Sequence, residues 1–502
     1  MKMALRNKCL VVTLATLTIF LIIVSAKVTW LHWLAFIWIL PFAFMLSRLK
    51  PKEALVISTL CASLFWAGTS YWLIAANVYF AQSATLTAAV VFTFFCLWQS
   101  LPYVALAVSY SHFNWKDSAL GPLLAASTLA ISWTLLPSPL PWIPQNSLYV
   151  YPKFLAILDL SGMSLLIFIS TLFCFSIEYA SRKNSVYRKQ YISCLLAIPL
   201  LMLGYGELRQ AQIDNLKANA PSKQWLHIGY IQPALHFDDS FDKTYDLTER
   251  LIQSKKPDLI VWPEISSPYS FIDNKKDNWK TRRLTKQYQQ DIIAVSGYVL
   301  TGKKASNGDE SIYNQAQLIK SGTLHGTYSK EILVPFFEYM PSLLSFLRTW
   351  MPNTQYYQAG SKDQLPLSYK NDIKLAMVIC YEVIFPEFTR KKIAQGGNIL
   401  INPSSDAIFK GGPGHFYHLS TAYLRSIENR VPWVRATNTG TSLIVGADGK
   451  IVTQPSATGK VVIDSGHVFI PEKTSIYSQI GNWFILFLLV AWVLYFAFRK
   501  NK

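Results

Sequence analysis

A chain of 502 residues, 51% hydrophobic and only 15% charged, is too long for one ordinary domain and implies at least two parts. Its net charge of +18 suggests a nucleic-acid partner until it is divided: residues 207–481 hold 31 Lys and Arg against 25 Asp and Glu, and the remainder 16 against 4. Most of the excess therefore lies beside apolar runs, where it is a membrane-topology signal and excludes a polyanion-binding surface as the main reading.

From the N-terminus to about residue 206 the chain is a succession of apolar runs, each long enough to cross a bilayer at roughly 20 residues per span. The spans read as 9–26, 28–47, 54–76, 85–109, 119–136, 154–177 and 191–206, with an eighth at 482–498. The first carries Val24-Ser25-Ala26 near its end, a possible cleavage site, but its apolar run is long for a signal peptide and is read as a retained anchor. Basic residues group on alternate connections: Lys2, Arg6 and Lys8; Arg48, Lys50 and Lys52; Lys116; Arg182, Lys183, Arg188 and Lys189; Arg499, Lys500 and Lys502. The opposite connections offer only Lys27 and Lys153. Both termini are thus expected inside, with the large segment between the seventh and eighth spans outside. The expected domains are 1–206 (seven transmembrane helices), 207–481 (an extracytoplasmic domain) and 482–502 (the last helix and a cytoplasmic tail).

Within 207–481 strand and helix signals alternate. WLHIGYIQ, DLIVWPE, DIIAVSGYVL, YNQAQLIK, KLAMVICYE, NILINPS, WVRATNTG and KVVID read as strands, and 241–253, 279–290, 387–394 and 415–429 as helices, an α/β layer arrangement. Three apolar strands end on residues with chemistry. DLIVWPE stops at Pro263 and places Glu264 just beyond it; GTYSKEILVPFFEYMP delivers Lys330, with Glu338 in the same loop; KLAMVICYE ends at Cys380, followed by Tyr381 and Glu382. A carboxylate can take a thiol's proton, an ammonium can hold the developing charge, and a thiolate can attack a carbonyl. Cys380 is also the one cysteine of six outside or away from the apolar spans, so no disulfide framework exists there and an unpaired thiol becomes a candidate nucleophile.

These motifs, WPE, then YSKEILVPFFEYMP, then VICYE, resemble the Glu-Lys-Cys set of the nitrilase superfamily. The wording around Lys330 and Cys380, and GGPGHFYHLSTAYLRSIENRVPWVRATNTGTS further on, is similar to its membrane-embedded branch, the apolipoprotein N-acyltransferases, over essentially the whole chain. The resemblance implies a four-layer α-β-β-α sandwich joined to a multi-pass helical membrane domain in a bacterial cytoplasmic (inner) membrane. It implies acyl transfer from a phospholipid donor, through a Cys380 thioester, to the α-amino group of a diacylated apolipoprotein. Glu264 would be the general base, Lys330 the electrostatic stabiliser and Cys380 the nucleophile. Glu338 and Tyr381 would position the base and pocket, Glu382 would hold the nucleophile turn, and Asn438 would frame the pocket. No cofactor is implied, and a monomer is expected.

Some stretches depart from that pattern. Residues 130–142 read AISWTLLPSPLPW without the acidic and basic residues common in the family; Gln232 is followed by Pro233, Ala234 and Leu235; and Ser405-Asp406-Ala407-Ile408-Phe409 replaces Asn-Asp-x-Trp-Phe. They bear on how the donor headgroup or acceptor is held. His415 and His418 are three apart, a spacing suited to a metal on a helix, but no third ligand is evident and none is expected. Arg425 and Glu428 read as an intrahelical ion pair. The aromatic-rich segment 336–360 either folds back as core or forms an apolar lid for acyl chains. A membrane-anchored amidase using the same triad, and a non-catalytic lipid-binding protein, are the competing readings.

Overall fold

The computed structural model describes residues 2–182, 187–235, 241–267, 271, 278–304, 310–351, 357–370, 372–409 and 412–499. Lys183, Lys500 and Lys502, on which part of the topology argument rests, lie outside them. The chain forms two compact units: Met1–Tyr71, Ala89–Gln210 and Ile480–Lys502 make the first, and Trp72–Ala88 with Ala211–Gln479 the second.

The first unit is helical. Among the described residues, six helices are long and apolar enough to cross a membrane, and two shorter apolar helices, Gly121–Leu135 and Trp483–Phe498, occupy the other two predicted positions. Several predicted spans are broken. The second starts as a 3-10 segment, Thr29–Phe36, before the α-helix Leu40–Leu46. The third ends at Ser70 and resumes as Trp72–Phe80. The sixth opens with the short helix Leu158–Ser161, which Gly162 terminates at φ 66°, a left-handed conformation that glycine adopts without a Cβ clash, before Met163–Ser181 begins. The seventh, predicted as 191–206, is part of the 31-residue helix Arg188–Ala218. At 1.5 Å per residue this helix is about 46 Å long, well beyond a hydrocarbon core of about 30 Å. Its Tyr205 hydroxyl donates to Asp159 Oδ1 at 2.6 Å and Arg209 Nε to Oδ2 at 3.0 Å, so a carboxylate buried among apolar helices keeps a counterion.

The second unit holds two sheets. Its strands are β1 Trp225–Gln232, β2 Leu259–Val261, β3 Asp291–Lys304, β4 Glu310–Lys320, β5 Thr323–Ser329, β6 Leu367–Ser368, β7 Lys374–Met377, β8 Ile399–Ser404, β9 Trp433–Thr437, β10 Leu443–Val445 and β11 Val462–Phe469. They order as β11-β1-β2-β3-β4-β5 and β10-β9-β8-β7-β6, with β1-β2-β3 and β7-β8-β9 parallel. β6 and β10, two and three residues long, carry too little pattern to be read from sequence.

The central parallel strands read as largely apolar runs because both their faces are buried. Alternate residues go to two different cores. Ile228, Tyr230, Leu259, Val261, Ile293 and Val295 face Leu375, Met377, Ile401 and Val434 of the other sheet. Their neighbours Ile231, Ile260, Trp262, Ile292 and Ala294 pack instead with Tyr245, Leu251 and Leu284 of the helices Asp242–Lys255 and Trp279–Gln287. The helices Pro386–Ala394 and Gly414–Asn429 cover the second sheet. The result is an α-β-β-α sandwich.

The aromatic-rich segment divides between its two readings. Met340 and Met351 are buried with Ala81, and Phe336 and Leu347 pack on them, whereas Leu343, Phe346 and Trp350 are exposed. Residues 352–356 lie outside the described part. The helix Trp72–Phe80 packs on this loop through Phe80 against Phe337, and through Trp72 on Phe409 at 4.9 Å between rings.

Candidate active site

Three strand ends converge. After β2, Trp262 N–H still donates to Ile293 O at 2.9 Å; Pro263 then has no N–H to continue the ladder, and the chain leaves the sheet at Glu264. At the end of β5, Lys330 N–H donates to Asn314 O at 2.8 Å, which holds the residue at the sheet's rim. Lys330 Nζ donates to Glu264 Oε1 at 3.1 Å and to Glu338 Oε1 at 2.8 Å. Glu338 is fixed in turn, its Oε2 accepting Val334 N–H at 2.7 Å. The Lys330 side chain is 1% exposed and that of Glu264 5%. Burial alone would lower the lysine's pKa, but Glu264, Glu338 and Cys380 outweigh it and hold the ammonium well above its ordinary range.

The third strand end carries Cys380. Val378 N–H donates to Ile401 O at 3.0 Å, the last backbone-to-backbone tie to β8, and Cys380 itself sits at φ 50°. A non-glycine residue in the left-handed region is strained by roughly 1–3 kcal/mol and persists only where surrounding structure enforces it. Glu382 supplies part of that enforcement. Its Oε2 accepts Ile379 N–H at 2.7 Å, its Oε1 accepts Glu331 N–H at 2.6 Å and Ile332 N–H at 3.1 Å, and Tyr328 hydroxyl donates to both oxygens at 3.0 Å. One carboxylate thereby joins the turn at Cys380 to the chain just after Lys330. Burial raises its pKa to about 7 against the pull of those three N–H groups.

The partly buried Cys380 thiol donates to Ser405 O at 3.6 Å. Burial pushes its pKa up to about 12; the Glu264 carboxylate adds to the rise and the Lys330 ammonium opposes it. The resting thiol is therefore protonated at neutral pH, and a nucleophilic role for it would need a base. Tyr381 stacks edge-on against Phe385 at 5.0 Å, and burial raises its hydroxyl pKa. Asn438 is placed differently from the other candidates: its Nδ2 donates to Leu235 O at 2.9 Å and its Oδ1 accepts Leu235 N–H at 2.8 Å, so it clamps the loop after β1. The two histidines considered as a metal pair have separate partners, Gly412 O for His415 and Asp406 with Cys380 O for His418.

Two residues outside the predicted set complete the site. Asn314, on β4, donates from Nδ2 to Glu264 Oε1 at 2.8 Å. It shares the inward face with Ala316 and Leu318, so a polar residue in period with buried ones was the available signal. Arg435, mid-strand in β9, donates from Nη2 to Asp406 Oδ1 and Oδ2 at 2.8 and 3.0 Å. The backbone makes room for that carboxylate at Gly440, where a Cβ would lie 2.0 Å from Asp406 Oδ2. Burial would raise the Asp406 pKa, yet Arg435 and His418 bring it down to about 2. Its folded pKa is below the ordinary value, so the stabilisation is present above about pH 4 and lost as pH falls through about 2. Replacing Asp406 by Asn is expected to cost about 2 kcal/mol at pH 7 and to converge with wild type near pH 2, as read from thermal unfolding in detergent.

The carbon-nitrogen hydrolase family model matches residues 227–465. A protein of Geobacter metallireducens named apolipoprotein N-acyltransferase is 26% identical over 92% of this chain and 89% of its own. One of the same name from Rhizobium rhizogenes is 32% identical over 45% of this chain and 43% of its own. Among solved structures, the carbon-nitrogen hydrolase of Helicobacter pylori G27 aligns at 19% identity and a TM-score of 0.37, over 49% of this chain and 89% of its own. Residues 227–465 thus match the carbon-nitrogen hydrolase model, in a chain with several apolar helices that is similar along most of its length to a protein named apolipoprotein N-acyltransferase.

Proposed function

We propose that the protein moves a fatty acyl chain from a membrane phospholipid, through a thioester on Cys380, to the N-terminal α-amino group of diacylglyceryl-cysteine in apolipoproteins. The observation that carries this is the convergence of Glu264, Lys330 and the strained Cys380 at three strand ends, in a chain whose full-length relatives bear that enzyme's name. Glu264 takes the thiol proton as sulfur attacks the ester carbonyl of the donor. The Lys330 ammonium neutralises the tetrahedral oxyanion, and collapse expels the lysophospholipid alkoxide, which recovers the proton from Glu264. In the second half the acceptor amine attacks the thioester and gives a proton to Glu264; the amide forms and the Cys380 thiol is regenerated. Glu338 holds the ammonium in place throughout, and Asn314 holds the base.

The basic residues gathered on alternate connections support an arrangement of eight spans with both termini in the cytoplasm, and with residues 207–481 on the periplasmic side of the inner membrane. Leu343, Phe346 and Trp350, exposed on the loop that carries Glu338, would meet the bilayer from which a diacyl donor arrives. The expected working unit is a monomer, with a phospholipid and a diacylated apolipoprotein as its partners.

Intact mass tests the reading. Wild type incubated with phospholipid vesicles is expected to gain one fatty-acyl increment, which Cys380→Ala does not gain, and to lose it to an added diacylated lipopeptide. Release of the increment as free fatty acid in the presence of the lipopeptide would make the enzyme a hydrolase instead.

A further inference from the structure

His418 lies on the helix Gly414–Asn429, is 4% exposed, and stands outside the Glu-Lys-Cys set. Its ring bridges two acceptors. Nε2 lies 3.1 Å from the backbone carbonyl of Cys380, and Nδ1 lies 3.0 Å from Asp406 Oδ1. A backbone carbonyl has no hydrogen to give, so the Nε2 contact is an N–H donated to Cys380 O, while Nδ1 has both the Asp406 carboxylate and the Arg435 Nη2 donor, 3.2 Å away, within reach. Asp406 is itself clamped by Arg435, whose Nη1 also donates to Asn402 Oδ1 at 3.0 Å, and Asn402 Nδ2 donates to Val378 O at 2.7 Å. The chain of bonds therefore starts two residues before the nucleophile and returns to the nucleophile's own carbonyl.

We infer that His418 is a positioning residue for the thiol: its Nε2–H bond to the Cys380 carbonyl, aimed by Asp406 and Arg435, holds the nucleophile in its left-handed backbone conformation. The physical need is specific. Cys380 is at φ 50°, and its nearest bonded supports on the N-terminal side are Val378 and Ile379; beyond those, a bond to its own carbonyl is the most direct hold on ψ. The Cys380 carbonyl and the Tyr381 N–H share one rigid peptide plane, so the same bond also orients that N–H. The thiol rests on Ser405 O, one residue from Asp406, so one loop both holds the sulfur and aims the histidine that holds the carbonyl. Loss of the bond lets the backbone relax and moves the sulfur relative to Glu264 and Lys330.

The inference rests on Cys380 being the nucleophile, and two substitutions separate it from a packing role. A glutamine amide nitrogen reaches about where His Nε2 sits and preserves the donor to the Cys380 carbonyl; an asparagine amide reaches only the Nδ1 position and preserves the contact with Asp406. Acyl-enzyme formation from phospholipid vesicles, followed by intact mass against time, is expected to stay within about threefold of wild type in His418→Gln and to fall by about thirtyfold to a hundredfold in His418→Asn, with the half-saturating lipid concentration unchanged. Iodoacetamide alkylation of Cys380, scored on its peptide between pH 7 and 10, is expected to shift in His418→Asn and to match wild type in His418→Gln. Equal losses in both variants, or wild-type behaviour in His418→Asn, overturn the inference. If wild type takes no acyl group but the alkylation rates still separate as stated, the acyl-transfer reading fails while the positioning role stands.

Discussion

Replacing Lys330 by methionine is expected to abolish thioester formation and to destabilise the second unit by about 3–5 kcal/mol, the cost of removing one member of a buried ion cluster. The lysine side chain is 1% exposed and lies between Glu264 at 3.1 Å and Glu338 at 2.8 Å. Without the ammonium, two carboxylates face each other out of water with no counterion. Both then hold protons more tightly, and a protonated Glu264 no longer accepts one from the thiol. Intact mass measures the first effect and thermal unfolding in detergent the second. Adding Glu338→Gln to Lys330→Met is expected to recover part of the stability and none of the activity, because one repelling charge is gone while the oxyanion still lacks its cation. A Lys330→Met protein that unfolds like wild type would mean that the cluster is not the buried assembly described above.

The second large effect is expected at Glu264. A thiol whose pKa burial has raised to about 12 is present as thiolate in only about one part in 10⁵ at pH 7. On the proposed mechanism a base acts in the attacking step, and Glu264→Gln is expected to slow acylation by about 10²–10⁴-fold. The amide oxygen still accepts from Asn314 and Lys330, so stability should change by less than about 1 kcal/mol. The pH profile supplies the sharper check. With the base gone, the rate depends on thiolate formed by solvent and is expected to rise about tenfold per pH unit between pH 7 and 9, while wild type stays comparatively flat. A flat profile for Glu264→Gln would reassign the base.

Much of this arrangement was readable because it is written in local pattern. The apolar runs ending at Pro263-Glu264 and at Cys380 mark strands that stop, and a strand buried on both faces places whatever follows it at a sheet's rim; β5, which delivers Lys330, is mostly polar and exposed on alternate residues, so its end is marked less by hydrophobicity. The longer strands and the four covering helices of the second unit were legible for the same reason. Asn314 was legible too, as a polar residue in step with Ala316 and Leu318, but only to a reading that assigns each face of β4.

Other features belong to the tertiary structure alone. That the helix Trp72–Phe80 packs on the loops bearing Phe337 and Phe409 follows from no periodicity in either segment. The family resemblance gave Glu382 the task of holding the nucleophile turn, but the bonds it takes from Ile379, Glu331, Ile332 and Tyr328, some about fifty residues away, are set only by the fold. His418 sits at a spacing that suggests a metal; what decides its role is the proximity of Asp406 and the Cys380 carbonyl, brought together when the parallel pairing of β7, β8 and β9 sets their common register. By itself the sequence determined which segments are apolar helices, which are strands, and which reactive groups end them, because those depend on the spacing of side chains along one element. Which atoms of those groups touch, and that Cys380 is held at φ 50°, depend on how two sheets are stacked and registered, and that is settled only when the whole domain closes.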